Sequence, residues 1–127
     1  MSVSNVPVPP VNVIAGEAIP IYRFMQLQAD GKYDVADDAQ GAVHGVSAEA
    51  AAADLDSIPM VLPIGIALVE AGAATTRGGA AASDATGRAI DHVSGAGNTI
   101  AGYFLEAAGA AGQIVQVQML VMQDGVT

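Results

Sequence analysis

The sequence predicts an all-β fold: a small β-sandwich or barrel built from two similar halves, with an extended N-terminal arm and at most short helical turns. Three observations carry this reading. Two segments alternate apolar and polar residues at period two, Ile19 to Gln28 and Ile114 to Met122. Asp30-Gly31 gives a hairpin signal between the first of these and its return strand. A set of landmarks also recurs along the chain at an offset of 56 to 57 residues. The division that follows is an arm over 1–13 and a single β domain over 14–127, its internal repeat spanning approximately 15–62 and 71–120.

The arm contains Pro7, Pro9 and Pro10 among valines and asparagines. Proline fixes φ, lacks an N–H and pushes the preceding residue to extended geometry. The segment is therefore expected to stay outside the central strands, with Val6, Val8 and Val11 free to dock on something. From Ile19 onward, Ile19, Ile21, Met25 and Leu27 fall on one face while Tyr22, Phe24, Gln26 and Gln28 fall on the other. Asp30-Gly31 suits a type I′ turn, because that turn needs positive φ. Lys32 to Ala36 is the return strand. Ala48 to Ala53 has high helix propensity over about two turns and reads as a short helix or turn. Ile58 to Leu62 and Ile64 to Val69 are apolar and strand-like, with Pro59 and Pro63 placing them at edges or at a bend.

The repeat shows most clearly in small residues. Ala15-Gly16 returns as Ala71-Gly72, and Gly31 returns as Gly87. Gly45 with Glu49-Ala50-Ala51 returns as Gly102 with Glu106-Ala107-Ala108. Each half then ends in an alternating apolar strand, so the expectation is two related β units that close on one another.

Composition narrows the function classes. The chain has 127 residues, a formal net charge of -9 and only four cations, Arg23, Lys32, Arg77 and Arg88. Clustered Lys and Arg are what displace counterions from phosphates, so no nucleic-acid partner is expected, and anionic membrane surfaces are disfavoured for the same reason. No run reaches the roughly 18 apolar residues of a membrane span. No secretory signal is expected either. There are no cysteines, which excludes disulfides and thiolate metal sites. Aromatics make up 4% and Trp is absent, so no large residue dominates a small-molecule pocket. Small cores lacking disulfide and metal are usually supported by oligomerisation.

No catalytic constellation emerges. His44 and His92 lack a carboxylate cluster at metal-ligand spacing. Asp91-His92 with Ser94 or Ser83 lacks the Gly-x-Ser-x-Gly elbow of a nucleophilic serine. Asp34, Asp37 and Asp38 lack the ligand alternation of a calcium loop. Gly95-Ala96-Gly97 has Ile100 where a dinucleotide fingerprint needs its third glycine. The expectation is a protein that is not an enzyme and needs no metal or cofactor.

Ala15-Gly16-Glu17-Ala18-Ile19, Ala29-Asp30-Gly31, Gly45-Val46-Ser47 and Gly65 to Ala73 together resemble tailed-bacteriophage capsid decoration (cement) proteins. Asp84 to Ala89 and Leu105 to Gly112 with Ile114 to Leu120 continue the likeness, which covers nearly everything after residue 13. Arg77-Gly78-Gly79 and His92 to Asn98 depart from it. The resemblance implies a β-tulip-like fold and a place on the outer surface of the virion capsid, after synthesis in the bacterial host cytoplasm. It further implies homotrimers at threefold or quasi-threefold positions that clamp the major capsid protein. On this reading Val6, Pro7, Val8, Pro9, Pro10 and Val11 form the capsid-binding arm. Tyr22, Phe24, Tyr103 and Phe104 are the residues large enough to anchor an interface. The alternative is a tail-associated or receptor-binding β module, against which the low aromatic content counts.

Overall fold

The computed structural model describes residues 9–37, 42–94 and 98–123. Ten strands and no helix are found among them: β1 (Val11–Ile14), β2 (Phe24–Leu27), β3 (Tyr33–Val35), β4 (Gly45–Ser47), β5 (Ser57–Val61), β6 (Ile64–Glu70), β7 (Ala80–Ser83), β8 (Ala89–Asp91), β9 (Thr99–Phe104) and β10 (Ile114–Gln123). They form two five-stranded sheets with antiparallel neighbours, ordered β1-β5-β4-β2-β3 and β6-β10-β9-β7-β8. Adding five to each strand number of the first order gives the second. The duplication inferred from glycines and alanines is thus a duplication of topology.

Register repeats as faithfully as order. Ser47 faces Met60 in the first sheet, and its counterpart Phe104 faces Val117 in the second. A parallel bridge, Ala15 to Tyr33, brings the end of β1 to β3, and Ala71 to Ala89 does the same for β6 and β8. The N–H of Gly16 donates to the Tyr33 carbonyl at 2.8 Å, and that of Gly72 to the Ala89 carbonyl at 2.8 Å. Each sheet therefore curls until its first and third strands meet.

The hairpins match too, with one difference from expectation. The Gln28 N–H donates to the Lys32 carbonyl at 2.8 Å and the Gly31 N–H to the Gln28 carbonyl at 3.0 Å. Gly31 alone in this loop has positive φ, 85°. This is a three-residue loop in which a left-handed glycine follows an ordinary turn, not the type I′ turn expected. Asp84 to Arg88 repeats it, with Gly87 at φ 80°.

Among the described residues two that are not glycine have positive φ, Tyr22 at 66° and Leu55 at 75°. Their counterparts are Gly78 at 79° and Gly112 at 94°. Left-handed geometry costs a side-chain-bearing residue about 1–2 kcal/mol. Leu55 is 66% exposed, so its side chain offsets little of that. Leu55→Gly is expected to stabilise the protein by about 0.5–1 kcal/mol, read as a melting temperature about 3 °C higher.

Both faces of the first sheet carry buried side chains, and this decides which residues are core. Ala15, Ile19, Met25, Ala51, Ile58 and Met60 pack together inside the first half. Their second-half counterparts Ala71, Ala81, Ala108, Val115 and Val117 belong to another cluster. Phe24, Ala36, Val43 and Val46 of the first half join that second cluster. Met25 thus faces the half's own core while its neighbour Phe24 faces the other half. Burying a phenylalanine fully contributes about 1.5–3 kcal/mol, so Phe24 helps hold the halves together.

A charged junction runs along the same contact. Glu70 at the end of β6 meets Arg23 at 3.3 Å and Arg88 at 3.6 Å, and Arg88 also meets Asp84 at 3.4 Å. Arg23 Nη1 donates to the Thr86 carbonyl at 2.9 Å. The Phe24 N–H donates to the Gly87 carbonyl at 2.8 Å and the Glu70 N–H to the Tyr22 carbonyl at 2.9 Å. Arg23 is therefore committed to fixing one half against the other, while Arg88 holds Glu70 and Asp84 from within the second half.

Several expectations are corrected. The strand expected from Ile19 starts at Phe24, because Tyr22 takes the left-handed conformation and breaks the extended run. Ala48 to Ala53 forms no helix; Ala51 instead bridges Ile19, and its small size fits the core there. The arm ends sooner than expected, since Val11–Ile14 pairs with β5 as an edge strand.

Candidate docking surface

The residues considered for chemistry are occupied in turns and strands. His44 Nδ1 accepts from the Leu27 N–H at 3.0 Å, and its ring lies edge-on to Tyr33 with centroids 6.4 Å apart. The Asp91 carboxylate accepts from the Thr76 N–H at 3.1 Å and the Thr76 hydroxyl at 3.2 Å. Ser83 donates to the Asp84 carbonyl at 2.9 Å. Among the described residues no three His, Cys, Asp or Glu side chains converge as metal ligands. Asp38 and Gly95 to Gly97 lie outside the described residues.

Asp34 is the one described group with a clear titration signature. Burial holds its carboxyl above the usual 3.8, and the nearby charges of Glu17, Asp30 and Asp54 add to this while Lys32 opposes it. A carboxyl that binds its proton more tightly when folded favours the fold at low pH, and that contribution is lost as pH rises through the folded pKa. Stability is therefore expected to fall as pH climbs from 3.8 into the raised range. Asp34→Asn should flatten that part of the profile and raise the melting temperature at pH 7.

The expected anchors divide sharply. Phe24 and Phe104 are buried, at 0% and 1% exposure, and so cannot anchor a partner; both belong to the core cluster shared by the halves. Tyr22 and Tyr103 are half-buried. In the arm, Pro9, Pro10 and Val11 are exposed, while Val6, Pro7 and Val8 lie outside the described residues.

The most unusual surface involves residues that the pattern did not single out as sites. β6 is an edge strand seven residues long, yet it exposes Ile64, Ile66 and Leu68, with Ile66 at 60%. On the neighbouring β10, Leu120 stands opposite Ile64 and is exposed, as is Met122. Edge strands of lone soluble proteins are ordinarily protected by lysines, bulges or short length. Here no charge interrupts Ser57 to Val69 or Ala107 to Gln123. In a chain of net charge -9, the β6/β10 face is a charge-free and largely apolar stripe, with Gln116 and Gln118 its polar members. That gap in the charge pattern was the available signal.

Beside the stripe, a groove of about 230 Å³ separates β6 from the first half. Its walls are Tyr22, Val46, Ser47, Ala48 and Val61 on one side and Ile66, Ala67 and Leu68 on the other. The Glu70 N–H reaches across to the Tyr22 carbonyl and closes one end. N–H groups of alternate strand residues point the same way, so those of Leu68 and Ile66 also face the groove.

The fold and its surfaces define a duplicated all-β module whose distinguishing feature is an apolar face with an open strand edge. The same fold occurs in the N base of the head fiber gp8.5 of bacteriophage phi29, with a TM-score of 0.69, covering 87% of this chain and 92% of that one. The two sequences are 20% identical, so the likeness is one of fold. No protein-family model matches the chain, and no curated protein matches it in sequence.

Proposed function

We propose that this protein is a non-catalytic structural component of a tailed-phage head, one that docks on the outside of the assembled capsid and stabilises it. The observation that carries the reading is the β6/β10 face. An exposed, charge-free stripe on a strongly acidic protein marks a protein-binding surface. The partner we propose is the major capsid protein, a reading supported by the fold shared with a phage head-fiber base and by the resemblance to capsid decoration proteins.

The mechanism is linkage. A subunit that binds the assembled lattice but not its separated pieces stabilises the lattice by mass action. Trimers seated at threefold positions would present several such faces at once, so a modest affinity per face is multiplied. The acidic remainder of the surface, turned outward, keeps loaded particles soluble and apart.

Co-sedimentation with purified heads tests this. Heads lacking the protein should take it up to saturation and then survive heating that breaks bare heads. Absence of uptake would overturn the proposal.

A further inference from the structure

The open edge of β6 and the sequence of the arm fit one another. We propose that the groove between the halves receives the N-terminal arm of a second copy of this chain, added as a short strand along β6. The inference does not rest on capsid docking, although Ile66 and Leu68 border both surfaces. It gives the arm, expected from the resemblance to bind the capsid, a receptor on its own kind.

Hydrogen bonding is the first reason. The N–H groups of Leu68 and Ile66 face the groove by alternation from Glu70, whose N–H is already bonded to Tyr22. Prolines Pro7 and Pro9 alternate with Val6 and Val8. In an added strand, period two places the N–H groups of Val6 and Val8 toward β6 and both prolines away from it. That is the arrangement in which an edge strand tolerates proline, and strand addition draws its affinity from such main-chain bonds.

Charge is the second. The eight residues lining the groove carry no charge, and neither does any side chain from Met1 to Gly16. Most other segments of this acidic chain would bring a carboxylate that had to be desolvated. Pro9 and Pro10 are exposed where the arm leaves β1, so its described part turns to solvent. The eight residues before Pro9 can span up to roughly 28 Å when extended, enough to reach a neighbouring copy.

Tyr22 is the third. The fold requires left-handed backbone at this position, and the second half meets the requirement with Gly78. A tyrosine is strained there, and it lines the groove. Strain of this kind persists where the side chain serves a purpose, here one wall of the arm's seat.

Light scattering across a concentration series tests the proposal with the full chain, a truncation lacking residues 1–8, and Tyr22→Gly. The full chain should associate as concentration rises, and each variant should do so at least tenfold more weakly. Mixing the two variants should restore association, because one keeps the groove and the other the arm. Tyr22→Gly should melt no lower than the parent, which separates lost association from lost folding. Replacing Ile64 and Leu120 by lysine, aimed at head docking, should leave this association intact. A truncated chain that associates like the full chain, or a full chain that stays monomeric throughout, would overturn it.

Discussion

Gly102→Ala is expected to unfold the protein or to destabilise it by more than about 3 kcal/mol. A methyl group at Gly102 would overlap the carbonyl oxygen of Gln118 on β10. That obstacle is backbone, so no rotamer change relieves it. The counterpart Gly45 is in the same position, its added carbon falling 2.5 Å from the Val61 carbonyl oxygen and against the Met60 side chain. In both halves a central strand passes so close to the final strand that only glycine fits, which is the physical meaning of that landmark in the repeat. Urea denaturation would measure the loss. Gly109→Ala is the control: its new carbon would meet only the Gln113 side chain, at 3.8 Å or more, and should change stability by less than about 0.5 kcal/mol.

Ile64→Lys combined with Leu120→Lys should abolish binding to heads while leaving the fold intact. These residues stand opposite one another on β6 and β10, 54% and 50% exposed. Lysines there cost the free protein little, since the side chains already sit in water. Two cations buried unpaired against a capsid would each have to lose hydration, and a penalty of several kcal/mol per ion is expected. Binding should weaken at least 100-fold, since each 1.4 kcal/mol is a factor of ten. Unchanged melting with lost co-sedimentation would identify the stripe as the contact.

What could be read from the sequence was whatever depends on backbone geometry. Gly31 and Gly87 marked the turns, Gly45 and Gly102 the close crossings, and Ala15 and Ala71 the tight bridges. Because these constraints recur in both halves, the duplication was visible before any fold was known. The destination of the side chains was less legible. Period-two alternation correctly put Phe24 and Met25 on opposite faces, but alternation does not say whether a face is wet. Here one face meets the half's own core and the other meets the second half. The run Ile64 to Val69 reads as an apolar strand at an edge or a bend beside Pro63, and β6 is an edge strand. The pattern did not say that the apolar side chains of β6 stand in water. Its exposure depends on which strand ends a sheet, a fact of topology. The short alanine run from Ala48 misled for a related reason: alanine favours helix when alone, but it was fitted here against Ile19.

The most direct measurement is electron cryo-microscopy of phage heads prepared with and without this protein. The account predicts added density on the outer surface of the shell, with β6 and β10 turned toward the capsid and the acidic loops turned to solvent. Identical maps, or density in which the Ile64–Leu120 stripe faces away from every neighbour, would contradict it.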